Sequence, residues 1–359
     1  RVRDYFLEDY YPLTELEGTT RDDIWLAYQY DRPSDGTGIV VAFRRAACPD
    51  PALTVRLSGI DASRNYSVYN FDTGESVTVP GAELASGYVL MLPEPRGWAL
   101  SLVLLTMIPL AASAQSSCTL SDTPTDVSRW IESRFAKGKV PPFSFVYDGK
   151  PSAGLLRKWK YMAQRVESSE PGVREYLYSY QDRRSGLKVE CRVKGFADFG
   201  AVEWVLNFKN LSDANSATIE QVKVVDLNLT SPGEGGFTVH YADGSHVSKA
   251  DFHQRTKVLA PGDSLYMAPE GGRSSQNAFP FFNIEAPDGR GAMVAVGWSG
   301  TWFADVAAGS KGGVTLSAGQ KNLSAYLYPS EAIRTPSVCL LFWQGENRFA
   351  GHNAFRRFI

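Results

Sequence analysis

The chain is written in short runs of alternating apolar and polar residues separated by turn formers, and up to about Leu105 no stretch of ten or more carries convincing helical periodicity. Only Val2 to Tyr10 offers a competing helical period. In the first segment, Arg1 to about Leu105, strands are expected at Asp23–Tyr30, Gly38–Arg44, Leu53–Leu57, Asn65–Asn70, Ser76–Val79, Tyr88–Leu92 and Ala99–Leu105. Asp31-Arg32-Pro33, Ser34-Asp35-Gly36 and Asp72-Thr73-Gly74 supply the turns. Such a set closes most simply as a small antiparallel sandwich. After a short helix at Asp126–Ala136, strands resume at Arg174–Asp182, Leu187–Phe196, Ala201–Asn210, Thr218–Leu229, Ala292–Trp298, Gly313–Ser317 and Val338–Trp343. So many strands with few helices imply two large sheets packed face to face, and an all-β chain throughout.

A length of 359 residues is enough for two or three domains. The net charge of -2, with no long basic stretch, argues against nucleic acid as the main partner. Abundant aromatic, Gly and Pro residues suit turn-rich β structure and are compatible with sugar binding. Cys48, Cys118, Cys191 and Cys339 are far apart and show no paired spacing, which argues against a zinc or redox motif. Separate buried thiols are the first reading, and a single long-range disulfide in an exported chain is the second. The apolar run Ala99–Ala112 is too short, and too interrupted by Pro109, to span a membrane. With Ala112-Ser113-Ala114 behind it, it reads as a last buried strand running into the remnant of an export signal. If that signal is genuine, the second half is periplasmic or extracellular.

Several segments resemble melibiase-type α-galactosidases, glycoside hydrolases of clan D. Asp9-Tyr10-Tyr11-Pro12-Leu13-Thr14, Asp23 to Pro33, Gly38 to Arg45 and Gly59-Ile60-Asp61 resemble the C-terminal β-sandwich of that family. Leu259 to Ser264, Gly271 to Asn277, Phe279 to Asn283 and Gly297 to Trp302 resemble its N-terminal β-supersandwich. Arg334 to Ser337, Leu341 to Gly345, His352-Asn353 and Arg356 to Ile359 resemble the exit toward the family's catalytic barrel. The resemblance implies a C-terminal-type sandwich over residues 1–105, a linker with the signal-like remnant over 106–124, a supersandwich over 125–345, and the start of a link to a barrel over 346–359. In the family the barrel lies between these two modules. Here their order is reversed and the barrel is missing, as in a fragment or fusion spanning the tail of one family member and the head of the next.

The chemistry follows from that absence. Retaining glycosidases need two carboxylates about 5–5.5 Å apart, and barrel enzymes present them at the ends of parallel strands. No β/α-repeating stretch is present, the family's catalytic aspartates would fall in the missing barrel, and no catalytic residue is carried over. Asp22, Asp23, Asp243 and Asp251 sit among turns, where carboxylates mostly cap or are solvated. His240 and His246 flank Asp243 but lack a metal-site signature, so no metal and no cofactor is expected. His253 and His352 complete the histidines. Ser299 is not in a nucleophile elbow, and Gly271 to Ser275 lacks the lysine of a phosphate loop. Trp298 and Trp302 are the candidates for stacking on a sugar face, weighed against filling the core or packing on a barrel. By resemblance, Arg273 and the Trp298–Trp302 loop would help shape a substrate pocket. The expected function is therefore that of non-catalytic accessory domains of an α-galactosidase-like hydrolase, inactive alone. The alternative is a stand-alone carbohydrate-binding protein. The expected partners are a galactoside or other carbohydrate, the absent barrel and, through uncovered apolar faces, further copies of the chain.

Overall fold

The computed structural model describes residues 2–15, 21–92, 101–107, 127–231, 235–309 and 313–359. The chain divides into two compact units, Arg1–Cys118 with Arg356–Ile359, and Thr119–Phe355. The signal-like segment beyond Met107, the matching part of the linker, and Cys118 lie outside the described residues. Every strand pairing among the described residues is antiparallel, so both units are all-β and hold no parallel barrel there.

In the first unit the strands are β1 (Asp9–Pro12), β2 (Trp25–Arg32), β3 (Thr37–Arg44), β4 (Ala52–Val55), β5 (Asn65–Asn70), β6 (Ser76–Pro80), β7 (Tyr88–Met91) and β8 (Ser101–Met107). They form a six-stranded sheet, ordered β1-β2-β3-β8-β5-β6, and a two-stranded sheet, β4-β7. The helical alternative near the start is half right. Val2–Leu7 winds into a 3₁₀ helix, but Asp9–Pro12 is captured as an edge strand opposite β2. Strict alternation of burial along β2 sends Trp25 and Ala27 into a core shared with Val40, Ala42, Tyr66 and Val68. Two buried polar residues tie the unit together. The Gln29 side chain donates to the Ser58 carbonyl at 2.8 Å and accepts from the Ser58 N–H at 2.9 Å. Arg44 donates to the carbonyls of Cys48 and Leu92. Such pairing is what makes burial of these groups tolerable.

The second unit contains α2 (Val127–Phe135), following α1 (Gly81–Ser86) of the first, then α3 (Ser152–Leu156) and α4 (Phe349–Phe358) up to Phe355. Its strands are β9 (Ser144–Tyr147), β10 (Lys150–Pro151), β11 (Lys160–Val166), β12 (Val173–Gln181), β13 (Leu187–Phe196), β14 (Ala201–Asn210), β15 (Ile219–Lys223), β16 (Val225–Leu229) and β17 (Phe237–Ala242). They continue with β18 (Gln254–Leu259), β19 (Ser264–Met267), β20 (Phe281–Glu285), β21 (Arg290–Gly297), β22 (Trp302–Ala308), β23 (Val314–Gln320), β24 (Ser324–Ala325) and β25 (Ala332–Gln344). A nine-stranded sheet, β11-β12-β13-β14-β25-β21-β20-β17-β18, faces two four-stranded sheets, β10-β9-β15-β24 and β16-β23-β22-β19. One continuous core joins them, with Val189, Trp204 and Val294 from the large sheet, Phe145 and Ile219 from one small sheet, and Val306 and Leu316 from the other. This is a supersandwich.

The expected single strand Thr218–Leu229 is two. Gln221 has a positive φ of 49° and the register slips between Glu220 and Lys223, so β15 serves one small sheet and β16 the other. Pro336 sits inside β25 because the pairing of β14 with β25 is irregular around Val205 and Asn207. There the Thr335 hydroxyl accepts the Leu206 N–H at 3.1 Å. Cys48, Cys191 and Cys339 are free thiols.

Candidate functional site

Three loops of the second unit converge at one end of the supersandwich. They are residues 243–253, residues 268–280 between β19 and β20, and residues 298–301 between β21 and β22. The fold places all three sequence-predicted residues here, in different roles.

Arg273 is exposed on the 268–280 loop, and its Nε and Nη2 both donate to Gln276 Oε1, at 3.2 and 3.1 Å. The loop is a tight coil. The Arg273 N–H donates to the Gly271 carbonyl at 2.7 Å, and Gly272 has a φ of +62°. A Cβ on Gly271 would stand 2.3 Å from Gln276 Oε1, so a side chain there would have to push the Gln276 amide aside. Trp302 is fully buried, and its indole N–H donates to the Ser274 carbonyl at 2.7 Å. It fills the core and fixes the loop from beneath. Trp298 is half-buried, with one side on the core and the other toward solvent. Of the two indoles, only Trp298 therefore presents a ring face for stacking.

Nothing in the sequence pattern joins the 243–253 loop to this surface. The Ser245 N–H donates to the Ser275 carbonyl at 2.7 Å, and Gly244 lies so close to that loop that a Cβ would meet the Ser275 oxygen at 2.1 Å. Asp251 is the hub of this loop. Its carboxylate accepts from the Ser245 hydroxyl and from the N–H groups of His246, Val247 and Ser248. Those bonds, led by the Ser245 hydroxyl, hold the carboxyl far below the usual carboxylate range. Asp243 is held by Arg255 Nε and Nη2 at 2.8–3.0 Å. Both aspartates thus have structural partners. Phe252, half exposed at a φ of +58°, packs edge-on against Phe279 and extends the aromatic surface. Its position is set by tertiary docking, which no local pattern reports.

His240 is apart from His246. Its Nε2 lies 2.6 Å from Glu285 Oε2, and its Nδ1 lies 3.1 Å from Thr256 Oγ1 and 3.2 Å from Arg348 Nη1. Burial, partly offset by the Glu285 bond, lowers its pKa. No group of three or more potential metal ligands occurs among the described residues.

Residues 132–326 match the glycosyl hydrolase family 36 N-terminal domain. No curated protein matches the chain in sequence. Among solved structures it is similar to the galactosidase domain of the α-galactosidase–sucrose kinase AgaSK, at 15% identity and a TM-score of 0.45, covering 58% of this chain and 30% of that one. It is also similar to the family 36 α-galactosidase AgaA from Geobacillus stearothermophilus, at 14% identity and a TM-score of 0.42, covering 57% and 30%. The α-galactosidase from Lactobacillus brevis aligns at 12% identity and a TM-score of 0.45, covering 93% and 41%. The chain therefore spans less than half the length of each of these proteins. Because the matched segment takes in more than half of its residues, the chain belongs to glycosyl hydrolase family 36, as a bearer of that family's N-terminal domain.

Proposed function

We propose that the chain supplies non-catalytic all-β parts of an α-galactosidase-like enzyme that hydrolyses α-galactosides. In this reading the supersandwich is the N-terminal flank and the small sandwich is a C-terminal-type module. The catalytic barrel comes from polypeptide outside these residues, the chain being a fragment or fusion of two family members. The observation that carries the proposal is a family 36 N-terminal domain within described residues whose strands pair only antiparallel. Arg273 and Trp298 border the substrate's approach, and Trp302 holds the Arg273 loop in place. In the same reading the second half is periplasmic or extracellular, and the chain self-associates at micromolar concentration through faces the barrel would cover.

The test is an aryl α-galactoside assay on the purified chain, where no turnover above background is expected. Turnover that withstands repurification would overturn the proposal. A second reading, a stand-alone carbohydrate-binding protein, is favoured by the half-exposed Trp298 and the exposed Arg273. It predicts galactoside binding that Trp298→Ala abolishes while the chain stays folded.

A further inference from the structure

A second site lies away from these loops, where α2 crosses the large sheet. A cavity of about 260 Å³ opens there, lined by Trp130 and Arg134 from α2, Asn228 from β16, Asp288 and Arg290 from the start of β21, and Phe342 from β25. It falls just under the roughly 300–1,000 Å³ of clefts that take drug-sized ligands, and so has room for one small ring.

We propose that this cleft binds a single neutral pyranose. Trp130 is half-buried, with its ring 5.6 Å from Phe342 and 6.3 Å from Trp204, so it forms a braced aromatic wall. Asp288 lines the same cleft. Arg290 binds only one of its oxygens, donating from both Nε, at 2.8 Å, and Nη2 to Oδ2. Oδ1 is buried and completes no hydrogen bond, although Ser231 stands close enough to help keep the carboxyl ionised. A buried acceptor without a donor costs stability unless a ligand or water supplies one. Asn228 Oδ1 accepts from the Thr315 hydroxyl at 2.8 Å, which leaves its amide N–H groups for another acceptor. Arg134 places further donors at the rim, its guanidinium 5.9 Å from the Trp130 ring centre. An aromatic wall, a fixed carboxylate acceptor and amide and guanidinium donors match a ring with apolar C–H faces and hydroxyls that both donate and accept. The Asp288–Arg290 pair cancels its own charge, and Arg134 is exposed at the rim, where solvent screens it, so an anionic ligand gains little.

This inference does not depend on the proposed accessory role. Its test is calorimetric titration of the 359-residue chain with galactose, glucose, mannose and glucuronate. Saturable millimolar binding of at least one of the three neutral sugars is expected. Asp288→Asn and Trp130→Ala should each weaken it about tenfold or more, a change of about 1.4 kcal/mol. Trp130→Phe should retain most of the affinity, and Trp298→Ala, at the other site, should leave it unchanged. Circular dichroism confirms that each variant is folded. Failure of all three neutral sugars to saturate, binding of glucuronate alone, or binding that survives both Asp288→Asn and Trp130→Ala would overturn the proposal. None of these outcomes bears on hydrolysis by an assembled enzyme.

Discussion

The Trp302 indole donates its N–H to the Ser274 carbonyl at 2.7 Å, across 28 residues of sequence. A side chain wholly inside the core thereby sets the shape of an exposed glycine-rich loop. Trp302→Phe keeps most of the ring volume but loses the bond, and should cost about 1–2 kcal/mol, including the carbonyl left unpaired. Trp302→Ala should cost about 3–5 kcal/mol through the cavity it leaves. Trp298→Ala, at a half-exposed position, should cost less than either. Urea denaturation checks the order, and protease cleavage within residues 271–277 should rise for both Trp302 variants.

Gly291 is required by Trp343. The two are paired across β21 and β25, and a Cβ on Gly291 would lie 2.4 Å from the Trp343 ring and 2.5 Å from the Ile284 carbonyl. Gly351 closes on the other side, and Asn283 accepts the indole N–H at 2.8 Å. Because Trp343 cannot retreat, Gly291→Ala should destabilise the second unit by about 1–3 kcal/mol or more. Calorimetry on the variant reads this as a lower melting temperature for that unit alone.

Acid should move the two units in opposite directions. Asp31, buried and directly cross-strand from Asp9, has its pKa raised to about 6, mainly by desolvation and then by Asp9. Its folded state holds the proton more tightly than the unfolded chain, so the first unit gains stability as pH falls from about 6 to about 4, by about 1–2 kcal/mol after solvent screening. His352 has its pKa lowered to about 4, mainly by burial and then by His240 and Arg348. Its unfolded state takes up protons first, so the second unit loses stability from pH about 6.5 downward, by about 2–3 kcal/mol near pH 4. Scanning calorimetry between those limits should show one transition rising and the other falling. Asp31→Asn should flatten the first trend and His352→Gln the second.

Asp251 should govern the 243–253 loop without touching the core. Asp251→Ala removes the shared acceptor of three N–H groups and two hydroxyls. Amide exchange at His246, Val247 and Ser248 should speed up by about tenfold or more, because the loop's local opening loses most of its resistance. Melting of the second unit should change little.

Strands with period-two burial were legible as sequence. Asn65–Asn70, Leu187–Phe196 and Ala201–Asn210 are strands over those very residues, since a sheet wet on one face and dry on the other imposes that alternation. Strands without it were missed. Lys160–Val166 is an edge strand with both faces largely open to solvent, and Phe282-Asn283-Ile284 is buried throughout. Neither environment leaves a periodic trace. Trp302 anchors the Arg273 loop from within the core, but which indole faces solvent depends on how β22 enters the core, and adjacent residues do not encode that. The cleft beside Trp130 was invisible for the same reason, being assembled from separated segments between residues 130 and 343.

Strand β25 lies between β14 and β21 in the large sheet, although more than a hundred residues separate it from β14 in the chain. The segment matched by the family domain ends at residue 326, ahead of this strand. A ribosome making the protein therefore completes one neighbour, β14, long before the strand that joins the two. Bare rows of amides and carbonyls wait in the cell, each able to recruit a stray strand from another nascent chain. Until β25 through Gln344 is in place, those edges stay open to mispairing.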